Sequence, residues 1–226
     1  MTGAENREAA FLAKITASTT HEIRNVLAIV KESAGLIEDL VQSYGKRGTL
    51  KEDKLFQAVN RIDAQVGRGA QLLTNLNRLS HGLDRASEAI DVGASARQVA
   101  SLCERFARQR RQTVQVREPE APLTANANAL RFQMVLFAAV ECCMEVLAEG
   151  GAVTMRPYAS GGRPAVEVVG DLDGAVASSD PTTAAGWRQL VVWGEDLSVS
   201  VQAVEASCTI RVVFGVPGRS QEATTA

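Results

Sequence analysis

With 226 residues, 46% of them hydrophobic, the chain has enough apolar material for one large packed domain or two small ones. A formal net charge of -2 and an isoelectric point near 5.8 exclude the broad basic field of a nucleic-acid or anionic-lipid binder. No apolar run is long enough to span a bilayer and residues 1–8 lack the pattern of a secretion signal, so the expectation is a cytoplasmic protein with no membrane or nucleic-acid partner.

From Leu12 to Leu83 the apolar residues recur at alternating steps of three and four, which predicts helix. The pattern breaks once, at Tyr44-Gly45-Lys46-Arg47-Gly48-Thr49, so two helical arms joined by a turn are expected. Thr16, Thr19, Ile23, Val26, Val30 and Ile37 mark the seam of the first arm, and Leu55, Val59, Ile62, Val66, Leu73 and Leu76 that of the second. Leu27, Val41, Phe56 and Leu72 widen both faces beyond what two helices can cover. A first arm over residues 8 to 44 would be roughly 55 Å long, so a homodimer sharing one four-helix bundle is the economical expectation.

His21 falls on the side of the first arm farthest from that seam, which predicts an outward imidazole. Ala17, Asn25 and Ala28 share its face, with Lys14, Arg24 and Glu32 close by, so the ring stands among small side chains that leave room for a docked partner. A neutral imidazole near physiological pH offers a nitrogen lone pair and is a usable nucleophile. His81, near the end of the second arm, reads as a helix-dipole cap.

After Ile90-Asp91-Val92-Gly93 the period changes. Residues 94–110 and 126–148 read as helices, the first ending in the exposed basic run Arg108-Gln109-Arg110-Arg111. Residues 113–116, 152–157, 165–169, 197–205 and 208–214 read as strands, with turns at Gly150-Gly151 and Gly161-Gly162. Trp187 and Trp193 fall on an amphipathic helix with Leu190 and Val191, as core or interface anchors. Cys103, Cys142, Cys143 and Cys208 lack metal-ligand or disulfide spacing and read as small buried groups. The fold class is therefore α+β: a hairpin domain over 1–88, a second domain over 89–218, and a disordered tail over 219–226.

The stretch HEIRNVLA, residues 21–28, resembles the phosphoacceptor box of two-component histidine kinases: a histidine, an acid, two variable residues, then asparagine or threonine. His21 matches the phosphorylated histidine, Glu22 the acid and Asn25 the amide position, while Val26 stands where the family has proline, which implies a straighter helix. LLTNLNRLSHGL, residues 72–83, resembles the second helix of the same module. The order of elements after residue 91 resembles the family's Bergerat-type ATPase sandwich, in degenerate form.

Three nucleotide features of that family are missing. Cys142, followed by Cys143 and Met144, occupies the position of a magnesium-binding asparagine, and a thiol is a poor substitute for a hard oxygen. DLDGA, residues 171–175, keeps Asp171 and Gly174 without the glycine pattern of an adenine site, and Asp171 reads as a turn residue. No glycine-rich lid precedes Trp187. The resemblance thus implies a histidine phosphotransferase without ATP: His21 would accept a phosphoryl group from a receiver-domain aspartate and pass it on, with Glu22 and Asn25 beside it. Its partners would be receiver domains of response regulators or hybrid histidine kinases, which would carry the Mg2+. Lys14, Ala17, Arg24, Ala28 and Glu32 would form the docking face. Two alternatives stay open: an ATP-dependent autokinase with an unorthodox pocket, and a non-catalytic dimeric adaptor that binds a receiver.

Overall fold

A computed structural model describes residues 3–47, 51–81 and 87–215, and it divides into two units, Met1–Ser80 and His81–Ala226. The first unit is two antiparallel helices, α1 (Gly3–Arg47) and α2 (Glu52–His81). Glu22 pairs with Arg68 and Glu32 with Arg61, so the chain index falls along one helix as it rises along the other. Gly69 gives the close approach between them, since a Cβ there would lie 3.4 Å from Val26 Cγ1. The expected turn at 44–49 begins later, because α1 stays helical through Arg47; residues 48–50 lie outside the described residues.

The hairpin's buried seam is rotated from the expected one. Phe11, Ile15, Ser18 and Glu22 turn inward together with Thr19 and Val26 of the expected seam, whereas Thr16 of that seam is exposed. On α2, Ala58, Asn75 and Leu79 are buried, while Val59, Val66 and Leu73 of the expected seam are 48 to 56% exposed. At roughly 100° per residue the expected seam averaged two apolar faces, one packed in the hairpin and one left open.

The second unit is an α/β sandwich. It contains β1 (Glu88–Asp91), α3 (Val92–Gln109), β2 (Thr113–Val116), β3 (Thr124–Ala127), α4 (Ala129–Val146), β4 (Ala152–Ser160), β5 (Arg163–Leu172), β6 (Ala175–Val176), a 3-10 turn (Pro181–Thr183), α5 (Trp187–Asp196), β7 (Val199–Ala203) and β8 (Thr209–Phe214). The main sheet runs β2-β4-β5-β8-β7, with β2 parallel to β4, the other pairs antiparallel, and β6 added beside β5. Strands β1 and β3 form a separate antiparallel pair.

Helix α4 is apolar nearly all round, as a helix enclosed on most sides must be. Phe132 of α4 packs against Phe214 of β8 with the rings tilted 50° to each other, and Phe137 of α4 meets Phe106 of α3 edge-on. Val153, Met155, Val166, Val168, Ile210 and Val212 line the strands' covered face with no exposure. On the other face, Glu167 lies between Arg156 and Arg211 across three strands.

The helix expected over 126–148 starts three residues later. Asn128 caps α4 through its side chain, 2.9 Å from Arg131 N, and a capping residue needs extended backbone, which continues into β3. Asp91 caps α3 in the same way. Asp171, expected in a turn, is a strand residue of β5 paired with Ala152 and Val176. The turn is Asp173-Gly174, both with positive φ, as a two-residue hairpin of this hand requires. Gly161-Gly162 closes the β4–β5 hairpin likewise.

Candidate functional site

Helix α1 carries three faces. One packs on α2, a second is apolar and open, and the third is centred on His21. At roughly 100° per residue, Lys14, Ala17, Arg24, Asn25, Ala28 and Glu32 all project within about 60° of His21, and all are exposed. The imidazole is exposed and makes no hydrogen bond or ion pair with any described residue. Alanines 17 and 28, one turn and two turns away, keep the approach to the ring low.

Glu22 departs from that stripe. It turns into the hairpin with a side chain only 10% exposed, and its Oε2 accepts from Arg68 Nη2 at 2.5 Å. Arg68 was not singled out from the sequence, because the apolar spacing puts the seam at Val66 and Leu73, and only the packed hairpin brings position 68 onto its inner face. Below this pair, Asn75 is buried and accepts from Gln71 Nε2. Glu32 is on the His21 face but is also tied to α2, 3.3 Å from Arg61. The side chain of His81 lies outside the described residues.

In the second unit, Cys142 lies about one turn before the C-terminal end of α4 and is 1% exposed. Burial, reinforced by Glu145 and Glu141, pushes its thiol up to about 12, so the group is neutral across the physiological range. Cys143 is also pushed up, through its contact with Cys208 and through burial. All four cysteines are reduced and buried.

The segment between β6 and α5 lies directly on this part of α4. Ala185 N donates to Glu145 Oε1 at 3.0 Å, and a Cβ on Gly186 would sit 3.6 Å from Cys142 Sγ. Ala184 and Leu190 are buried on either side, and Trp187 and Trp193 are half-buried. Asp171 lies at the far end of β5, half-buried and held in strand pairing. No group of histidine, cysteine and acidic side chains among the described residues is arranged to hold a metal ion. No described helix is long and apolar enough to cross a membrane.

Among solved structures, a bacterial phosphotransferase matches over 94% of this chain and 97% of its own, at 13% identity and a TM-score of 0.50. The chain shares the fold of that phosphotransferase. The histidine kinase AdeS of Acinetobacter baumannii matches over 88% of this chain and 98% of its own, at 15% identity and a TM-score of 0.45. Histidine kinase ThkA, solved in complex with the response regulator protein TrrA, matches over 92% of this chain and 63% of its own, at 15% identity and a TM-score of 0.43. No protein-family model and no curated protein matches the sequence. What this relation carries is the architecture: a helical hairpin followed by an α/β sandwich.

Proposed function

We propose that this chain is a histidine phosphotransferase acting in two-component signalling, with His21 as the phosphoacceptor. The observation that carries the reading is the exposed, uncommitted imidazole at the centre of a stripe of small and charged residues. A ring nitrogen of neutral His21 attacks the phosphorus of an aspartyl phosphate on a donor receiver domain. The N–P bond forms as the acyl O–P bond breaks, and the donor aspartate leaves as a free carboxylate. The reverse step, on a second receiver, returns the phosphoryl group to an aspartate and leaves the imidazole neutral again. Alignment in line with the leaving oxygen is the helix's contribution, and the receiver supplies Mg2+ and charge stabilisation. Asn25, one turn beyond His21, and the flanking Lys14, Ala17, Arg24, Ala28 and Glu32 form the surface on which the receiver seats.

ATP has no part in this reading. A buried, neutral thiol at Cys142 is no ligand for magnesium, and the backbone of Gly186 occupies the space beside it, which supports a pocket converted to packing. The hairpin acts as a homodimer, because Leu27, Phe56, Val59, Val66 and Leu73 leave an apolar face at 48 to 64% exposure that a second copy would cover.

Incubation with a receiver domain carrying radiolabelled aspartyl phosphate should label the wild-type chain and leave His21→Gln unlabelled. Labelling of His21→Gln refutes the assignment. Labelling of wild-type protein by γ-labelled ATP alone identifies an autokinase instead, and receiver binding by the wild-type chain with no phosphoryl transfer identifies an adaptor.

A further inference from the structure

Where β2 leaves the sheet, the loop over residues 117–123 and the end of β4 enclose a cavity of about 380 Å³, at the small end of the range for ligand sites. Three donors on its wall lack acceptors. Arg117 is exposed and its guanidinium is engaged by no described residue, and the same holds for the Tyr158 hydroxyl. Arg156 has its Nη1 4.0 Å from Glu167 Oε2, while its Nε–H is buried without a partner. Its Nη2 is engaged by no described residue and can donate to a carboxylate together with Arg117 and the Tyr158 hydroxyl.

Acids line the cavity too. Glu118 is occupied by Arg97 at 2.6 Å, whereas Glu120 is exposed and would repel a second negative charge on a ligand. Pro119, Leu123, Pro157 and Ala159 complete the wall with apolar surface. We propose that this cavity binds a small monocarboxylate carried on a short apolar body, with Arg117, Arg156 and Tyr158 holding the carboxylate. The site is independent of the His21 face and of the phosphotransfer reading.

Calorimetric titration of the full chain with isovalerate tests it, with isovaleramide, acetate and inorganic phosphate as comparisons. Saturable binding of isovalerate is expected, tighter than acetate, with none by the amide. Arg117→Gln, an exposed substitution that leaves the sheet untouched, should weaken binding by about tenfold or more, and Arg156→Gln at least as much. Absence of saturable isovalerate binding, unchanged affinity in Arg117→Gln, or tighter binding of phosphate than of isovalerate would each overturn the assignment.

Discussion

His21 is exposed, yet the residue after it is held on the opposite helix. The Glu22–Arg68 pair fixes the backbone of α1 beside the imidazole without touching the ring, so rigidity and availability come from adjacent positions. Arg68→Met would remove the guanidinium from the buried Glu22 carboxylate and should lower stability by about 2 to 3 kcal/mol, measured by urea unfolding. Glu22→Gln should cost less, because Arg68 is 34% exposed and can turn to water. The double variant should recover most of the loss, and a strictly additive loss would show the pair to be uncoupled. At Cys142 the raised thiol sets the sign of a pH effect. The folded state holds its proton up to about 12 and the unfolded chain only to the ordinary value of 9.0, so stability falls as pH rises between the two. Native protein at pH 8 should accordingly resist a disulfide-forming thiol reagent that modifies the unfolded chain rapidly.

Elements depend on a few positions where no larger residue fits. A Cβ on Gly170 of β5 would lie 2.6 Å from Cys208 Sγ and 2.8 Å from Leu147 Cδ1, so Gly170→Ala should destabilise the second unit by roughly 1 to 3 kcal/mol in thermal or urea unfolding. Asn128→Ala, which removes the α4 cap, should cost about 1 kcal/mol in the same assay. Most helices and main-sheet strands were legible because their periods are strong: Val166 and Val168 of β5, or Leu190 of α5, declare their buried faces outright. Strand β3 was not. Thr124-Ala125-Asn126-Ala127 has small side chains and no β-branched core, and its pairing with β1 is fixed by tertiary contact. The rotation of the hairpin seam was hidden for another reason. Periodicity locates apolar faces but cannot say which one meets the neighbouring helix, and Glu22 was drawn inward by Arg68, a partner 46 residues away. Within the site, the outward setting of His21, Ala17, Asn25 and Ala28 followed from helical spacing alone.

For the whole molecule, the proposed homodimer rests on the open apolar face of the hairpin. Phe56 at 64% and Val66 at 56% exposed are large groups in water on an element that already buries its other face. Sedimentation velocity at micromolar concentration should show a dimer for wild type and a monomer for Val66→Glu, whose His21 face is unaltered. A wild-type monomer would remove the shared bundle and leave that face to another partner. Helix α1 runs without interruption from Gly3 to Arg47, past Val26, which supplies the backbone N–H that a proline there would lack. In the proposed relay, a rod with no joint beside His21 has no second bend to switch into. Traffic through His21 would then be governed by the supply of charged donors and the demand of empty acceptors, with the protein itself serving as an ungated conduit.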